Sequence, residues 1–326
     1  DIALQQQAVG ILGVNLVYAS YYYYGDYKKL MASLLEGIRN RVKIDMLRIK
    51  GTHFVDIDNR LVTLELVKQR LTDVAMFDSK GNPVHPSEFM YKHNALVVRG
   101  SFRPATLRTL DRFESASKQF ATEADLSPRG TSVLAEITLK DMCRDTGKVE
   151  DQDFLDRASL LNHLGKCIMI TNCNEYKRLI NYLADYRVAK LGIVISAKGL
   201  LDIVNSKYYR NKDGRLITSY GEIFTRNVRV YVYPAYNEGG SELMTCRNLP
   251  IPDGIRYLYK HIVENRHVVD IEGYNEEFLQ IHAMNTLRML RDNENGWTKS
   301  VSQKVAKHIR EKHLFGFPKP NMEFEY

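Results

Sequence analysis

Residues 95–121 read ALVVRGSFRPATLRTLDRFESASKQFA, and this stretch decides the fold class. Residues 95–102 are the first clear buried strand. Pro104 follows at once, and a helix is predicted from about Thr106 to Ala121. Strand, glycine loop and helix stand in direct succession, as in a sheet whose strands are joined by helical crossovers.

Working outward, the alternation continues downstream. After the loop Ser127-Pro128-Arg129-Gly130, residues 133–139 alternate as a strand, 153–164 are helical, and 166–171 (KCIMIT) form a buried strand. Helix is predicted at 175–186 and 200–208, and strand at 189–195 and 228–233 (VRVYVY). Such alternation from 96 to 233 predicts an α/β, Rossmann-like, mostly parallel sheet with helices on both faces. From residue 252 the pattern turns helical, at 255–264, 276–291 and 302–312. Upstream, helix is predicted at 3–19 (weakened by Gly10 and Gly13), at 30–38 and at 61–71. Residues 42–49 alternate like a strand, and 73–77 with Ser79-Lys80-Gly81-Asn82-Pro83 before Val84 suggest a hairpin. The expected organisation is an α/β segment at 1–94, a Rossmann-like core at 95–251 and a helical C-terminal region at 252–326. The chain opens on Asp1 without a methionine, which leaves room for upstream sequence.

Composition narrows the class. A 326-residue chain with 44% hydrophobic and 26% charged residues is neither disordered, collagen-like nor a disulfide-stapled miniprotein. A chain of this length buries roughly three quarters of its unfolded surface. The formal charge of +7 permits an anionic partner, but the charges are interspersed. The Lys304-Lys307-Arg310-Lys312 cluster reads as a solvated helix face, so no specific nucleic-acid partner is expected. Cys143, Cys167, Cys173 and Cys246 show no C-x-x-C and no zinc-finger spacing, which suits a reduced, cytoplasmic chain. The most apolar stretch, 9–19, is interrupted by Asn15 and falls short of the roughly 18 to 20 residues of a membrane span, so no membrane partner is expected.

Two aromatic features bear on assembly. Tyr21 to Tyr24 form a run that fits a core edge, with a packed interface as the alternative. The closing residues, Phe315-Gly316-Phe317-Pro318-Lys319-Pro320 through Phe324-Glu325-Tyr326, are expected to pack on their own subunit or to dock on a neighbour.

The leading candidate for chemistry is Gly100-Ser101-Phe102-Arg103-Pro104-Ala105-Thr106. A glycine at a strand's carboxyl end allows close approach of a phosphate, and the next helix offers free N–H groups and a positive dipole. Arg99, Arg103 and Arg108 would add charge suited to bidentate phosphate contacts. A tight strand-to-helix turn is the plainer reading of Gly100. Two further strand ends face the same way: Asn172 after KCIMIT, with Asn174 as a substrate ligand or helix cap, and Lys198 after LGIVIS, as a phosphate counter-charge or an ordinary loop lysine. Asp56 and Asp58 near His53 resemble a Mg²⁺ site but are better read as a helix cap, as is His85-Pro86-Ser87-Glu88. The loop 237–241 is a candidate lid.

The stretch GSFRPATLRTLDRFE resembles the G-S-F-x-P-x-T loop and helix of nicotinamide or nicotinate mononucleotide adenylyltransferases. Residues 305–315, VAKHIREKHLF, are similar to that family's closing helix. The chain also resembles a bacterial group that carries G-S-F-R-P and ends in L-F-G-F or L-F-G-Y. The resemblance implies a nucleotide-binding Rossmann-like fold, with Gly100, Ser101 and Thr106 on phosphate, Arg103 and Lys198 supplying charge, and Mg²⁺ accompanying ATP. It departs at Thr109, where the family has histidine, and in the absence of an I-S-S-T-x-x-R motif, for which only Thr298-Lys299-Ser300-Val301-Ser302 stands near the expected place. Two functions are therefore carried forward. One is a protein binding a nucleotide or other phosphorylated small molecule at the strand ends, with nucleotidyl transfer as its activity. The other is a non-catalytic scaffold that assembles into a homo-oligomer or filament.

Overall fold

A computed structural model describes residues 2–204, 213–224, 227–237 and 239–318. Its centre is an eight-stranded sheet. In chain order the strands are β1 (Val74–Phe77), β2 (Pro83–Val84), β3 (Asn94–Arg99), β4 (Thr131–Thr138), β5 (Cys167–Thr171), β6 (Lys190–Ser196) and β7 (Val228–Tyr233). A separate hairpin, β8 (Ala235–Tyr236) with β9 (Leu243–Met244), precedes the last sheet strand, β10 (Val268–Asp270). The spatial order is β10-β7-β6-β3-β4-β5-β1-β2. The strands from β10 to β5 pair in parallel, while β1 runs antiparallel to both β5 and β2. The fold is α/β and Rossmann-like.

Parallel strands buried on both faces need continuous apolar runs, and β3 supplies one: Leu96, Val97 and Val98 are fully buried. Val97 sits in register with Leu134 of β4 on one side and Ile193 of β6 on the other. One face of the sheet packs on the helices Asn59–Lys68, Leu107–Phe120 and Asp151–His163 through Leu64, Phe113, Phe120 and Phe154. The other packs on Tyr176–Asp185, Ala197–Val204 and Arg256–Glu264 through Leu179, Leu183, Leu200 and Ile262. Gly192 in β6 is demanded by this packing, since a Cβ there would lie 2.6 Å from Leu96 Cδ1 and 3.0 Å from the Phe120 ring. A third apolar cluster joins the C-terminal helices Ala283–Arg291 and Gln303–Lys312 to Leu160 and Ala105.

Both margins of the sheet are short and occupied. Arg48 donates to the Pro83 carbonyl at 3.1 Å on the β2 side. The Gln119 amide donates to the Asp270 carbonyl at 3.0 Å on the β10 side.

Several expectations need correction. Residues 42–49 form no strand: the Ile44 N–H donates to the Leu71 carbonyl at 3.0 Å, and at the far end a side chain stands in for a ladder. Asn59 accepts from the Ile49 N–H at 2.8 Å and donates to its carbonyl at 3.0 Å. The single helix expected at 276–291 is two pieces, a 3-10 turn at Glu276–Gln280 and a helix at Ala283–Arg291, because Leu279 packs into one core and Leu287 and Leu290 into another. Asn174 does not cap the helix that follows it; Glu175 holds that position with no side-chain capping bond. The capping readings at Asp58 and His85 agree with the structure: each side chain accepts from a first-turn N–H. The loop from 237 joins the β8–β9 hairpin, where Asn237 Oδ1 accepts from the Ser241 N–H.

The N-terminal helix departs most from expectation. It spans Ile2–Tyr22, 21 residues without a charge, and is long and apolar enough to cross a membrane by length and composition. Residues 9–19, the most apolar stretch, are only its middle. Just 11% of its apolar window is buried, and Val9, Val14, Val17 and Tyr21 are exposed. It is nonetheless tied along the chain: Asn15 donates to the carbonyls of Leu34 and Glu36 at 3.0 Å, and Arg41 donates to Gln7. Tyr21, Tyr22 and Tyr24 stand in the open, so the run is not a core edge; Tyr23 alone is partly buried. In the tail, Leu314 and Phe315 are buried and the Phe317 ring meets Trp297 at 5.8 Å on the same subunit. Residues 319–326, including Phe324 and Tyr326, lie outside the described residues.

Candidate functional site

The strand order determines where a ligand can enter. From β3 the chain moves outward to β4 and β5, then returns to the other side of β3 to lay down β6 and β7. The crossovers therefore diverge between β3 and β6, which opens a crevice beyond the carboxyl ends of those strands. A cleft of about 360 Å³ lies there, lined by Arg99, Gly100 and Ser101 after β3, Thr138 and Lys140 after β4, Asn174 to Lys177 after β5, and Gly199 after β6. Its volume is in the range of small-molecule sites, roughly 300–1,000 Å³.

Arg99 holds these strand ends together. Its Nε and Nη2 each donate to a Glu136 carboxylate oxygen at 2.8 Å, and Glu136, in the middle of the sheet, is completely buried. Thr171 at the end of β5 donates to the same carboxylate at 2.7 Å. Arg99 also donates to the carbonyls of Cys173 and Asn174, and its guanidinium lies 4.0 Å over the Tyr176 ring. The adjacent Glu136 carboxylate outweighs burial and raises the Arg99 pKa above its ordinary value. Arg99 is thus a tie between β3, β4 and β5 and not a spare anion ligand.

Of the residues singled out from sequence, Arg99, Gly100, Ser101 and Asn174 line the cleft. Arg103, Thr106, Asn172 and Lys198 stand outside its lining. The Arg103 guanidinium lies against Asp145 and Asp153. Thr106 is buried and caps the helix Leu107–Phe120, accepting from the Thr109 N–H at 3.4 Å. Asn172 gives its N–H to the Asp73 carbonyl at 2.9 Å, and Lys198 is exposed on the first turn of Ala197–Val204. The geometry at Gly100 also differs from a phosphate cradle. A Cβ there would lie 2.8 Å from Arg112 Nη2 and 3.1 Å from the Phe102 ring, so the glycine makes room for an arginine side chain. Phe102 takes a left-handed φ of 52° and stacks on Phe113 at 5.7 Å.

The cleft's remaining cations were not legible in advance. Lys140 has no acid within ion-pair distance among the described residues, Arg144 pairs with Asp141 at 2.6 Å, and Lys177 pairs with Glu222 at 2.8 Å. The helix Tyr176–Asp185 opens into the cleft with no side chain capping its first turn, leaving N–H groups and the positive dipole end toward it. The two carboxylates in the lining are Asp141 and Glu175, and Asp141 is also 3.4 Å from Arg157. Among the described residues, no three His, Cys, Asp or Glu side chains converge as a metal site.

No protein-family model and no curated protein matches the chain. Among solved structures, the fold is similar to the Plasmodium falciparum nicotinic acid mononucleotide adenylyltransferase complexed with APC. The TM-score is 0.41 and the identity 9%, over 69% of this chain and 98% of that one. A likeness this loose carries no argument about activity.

Proposed function

We propose that this cleft binds a phosphorylated small molecule, a nucleotide in the first instance. The observation that carries the reading is the convergence of four strand ends at the point where the crossovers diverge, in a cleft holding Lys140, Arg144, Lys177 and an uncapped helix N-terminus. Anions are favoured at such a terminus, and the cationic side chains outnumber the carboxylates of the lining. Mg²⁺ would enter as the companion of a polyphosphate, with Glu175 the carboxylate least engaged by arginine. Nucleotidyl transfer is the activity to assay, since that chemistry depends on positioning and charge stabilisation of phosphates.

A thermal-shift panel with ATP, NMN, NAD and sugar phosphates, each with and without Mg²⁺, tests the reading. A ligand at a hundred times its Kd adds about 2.7 kcal/mol of stability. Lys140→Ala, an exposed change, is expected to leave the ligand-free Tm unchanged and to weaken the shift. No shift with any ligand rules the reading out. Pyrophosphate release from ATP, in the presence of the second substrate, then separates an enzyme from a binding protein.

The second reading, self-assembly of a scaffold, is favoured by the uncharged and exposed helix Ile2–Tyr22. Light scattering after size exclusion on Val14→Glu/Val17→Glu is its test, and an unchanged mass would remove the helix as the contact.

A further inference from the structure

One helix outside the lining of the cleft carries an electrostatic imbalance. Arg108 and Arg112 stand one turn apart on Leu107–Phe120, and neither meets a carboxylate among the described residues. Among the described residues, other enclosed arginines are compensated: Arg99 by Glu136, Arg103 and Arg157 by Asp153, and Arg229 by Glu123. The one acid between the pair on this helix, Asp111, is already engaged, accepting from the Tyr233 hydroxyl at 2.6 Å and from the Asn275 N–H at 3.1 Å. Arg112 Nε is completely buried and has no hydrogen-bond partner among the described residues. Its Nη2 presses on Gly100, whose missing side chain leaves the space. The Arg108 guanidinium lies 5.9 Å from the Tyr233 ring at the end of β7. Burial pushes both arginines below their ordinary value, Arg112 to about 10, and the charge of Arg108 adds to the depression at Arg112.

Two neighbouring cations held without an acid cost the ligand-free fold stability, and an anion placed between them would remove that cost. A carboxylate brings one negative charge and would leave the pair half compensated. A diphosphate or triphosphate brings two or more, with oxygens spaced for planar guanidinium forks. We propose that Arg108 and Arg112, seated against Gly100, form the subsite for the polyphosphate chain of the ligand. This rests on the reading of the adjoining cleft given above and names the ligand class: a molecule with at least two linked phosphoryl groups.

The test is calorimetric titration of the full chain with inorganic pyrophosphate, ATP and AMP, on the wild type, Arg112→Met, Arg108→Gln and Lys140→Ala. Arg112→Met keeps the apolar stem and removes the charge. Affinity for pyrophosphate and ATP is expected to fall at least tenfold, while the ligand-free Tm rises or holds, because an uncompensated cation has gone. A purely structural arginine would instead lower the Tm and leave affinity unchanged, which overturns the proposal. If Arg112→Met fails to fold, Arg108→Gln carries the same expectation for affinity. ATP binding that depends on Lys140 but not on Arg108 or Arg112 overturns the subsite and leaves the cleft standing. AMP binding as tightly as ATP overturns the polyphosphate assignment. A wild type that binds none of the three overturns the cleft and the subsite together.

Discussion

Replacing Arg99 by methionine should be among the most damaging single changes in the chain. The substitution removes both bonds to Glu136, two bonds to carbonyls at the end of β5 and the contact with Tyr176, while Glu136 stays fully buried with only the Thr171 hydroxyl at 2.7 Å. Removing one partner of a buried ion pair costs about 3–5 kcal/mol, a large share of the roughly 5–15 kcal/mol that holds a domain together. Glu136→Met should cost less, because Arg99 keeps its carbonyl acceptors and is partly exposed. In the double variant Arg99→Met/Glu136→Met the uncompensated charge is gone, so its stability should lie above that of Arg99→Met alone. Urea unfolding followed by circular dichroism on all four proteins yields the coupling energy. An Arg99→Met cost below about 1 kcal/mol, the value of an exposed pair, would refute the reasoning.

Three further outcomes are expected. Gly192→Ala forces a methyl into contact with Leu96 and Phe120 and should destabilise by about 1–3 kcal/mol in the same urea assay. His163 and His308 stack at 4.0 Å, and burial lowers the pKa of both, helped at His163 by Lys304 and at His308 by His163. The unfolded chain then binds more protons near pH 6, so stability is full above the unfolded value of about 6.5 and is lost as pH falls through the lower folded values. Tm measured from pH 8 to 5 should drop less in His163→Phe than in the wild type. Burial pushes the thiols of Cys173 and Cys246 up to about 12, and Cys246 also donates to Asp270 at 3.1 Å. Both should resist iodoacetamide at pH 8 until urea is added, which peptide mass mapping reads directly.

Sequence patterns revealed the parallel core, because strands buried on both faces leave unbroken apolar runs such as ALVV and CIMI. They failed where side chains substitute for a ladder, as Asn59 does beside Ile49. A three-residue strand such as β10 is too short to show a period. At the site, Gly100 and Ser101 were legible because glycine after a strand is a local signal. Arg112 was not: its role depends on which carboxylates surround it, and Asp111 looks available in sequence until Tyr233 and Asn275 claim it. Arg103 shows the mirror image, since Asp145 and Asp153, which lie against its guanidinium, are distant along the chain.

The two margins of the sheet limit how copies of this chain can join. One ends in a two-residue strand that contains Pro83, the other in three residues, and Arg48 and Gln119 already occupy backbone carbonyls there. An incoming strand would find too few vacant groups to extend the ladder, which is how natural sheets avoid runaway polymerisation. Strand addition at these two margins is therefore disfavoured, and among the described residues the exposed apolar face for contact between folded copies is that of the helix Ile2–Tyr22.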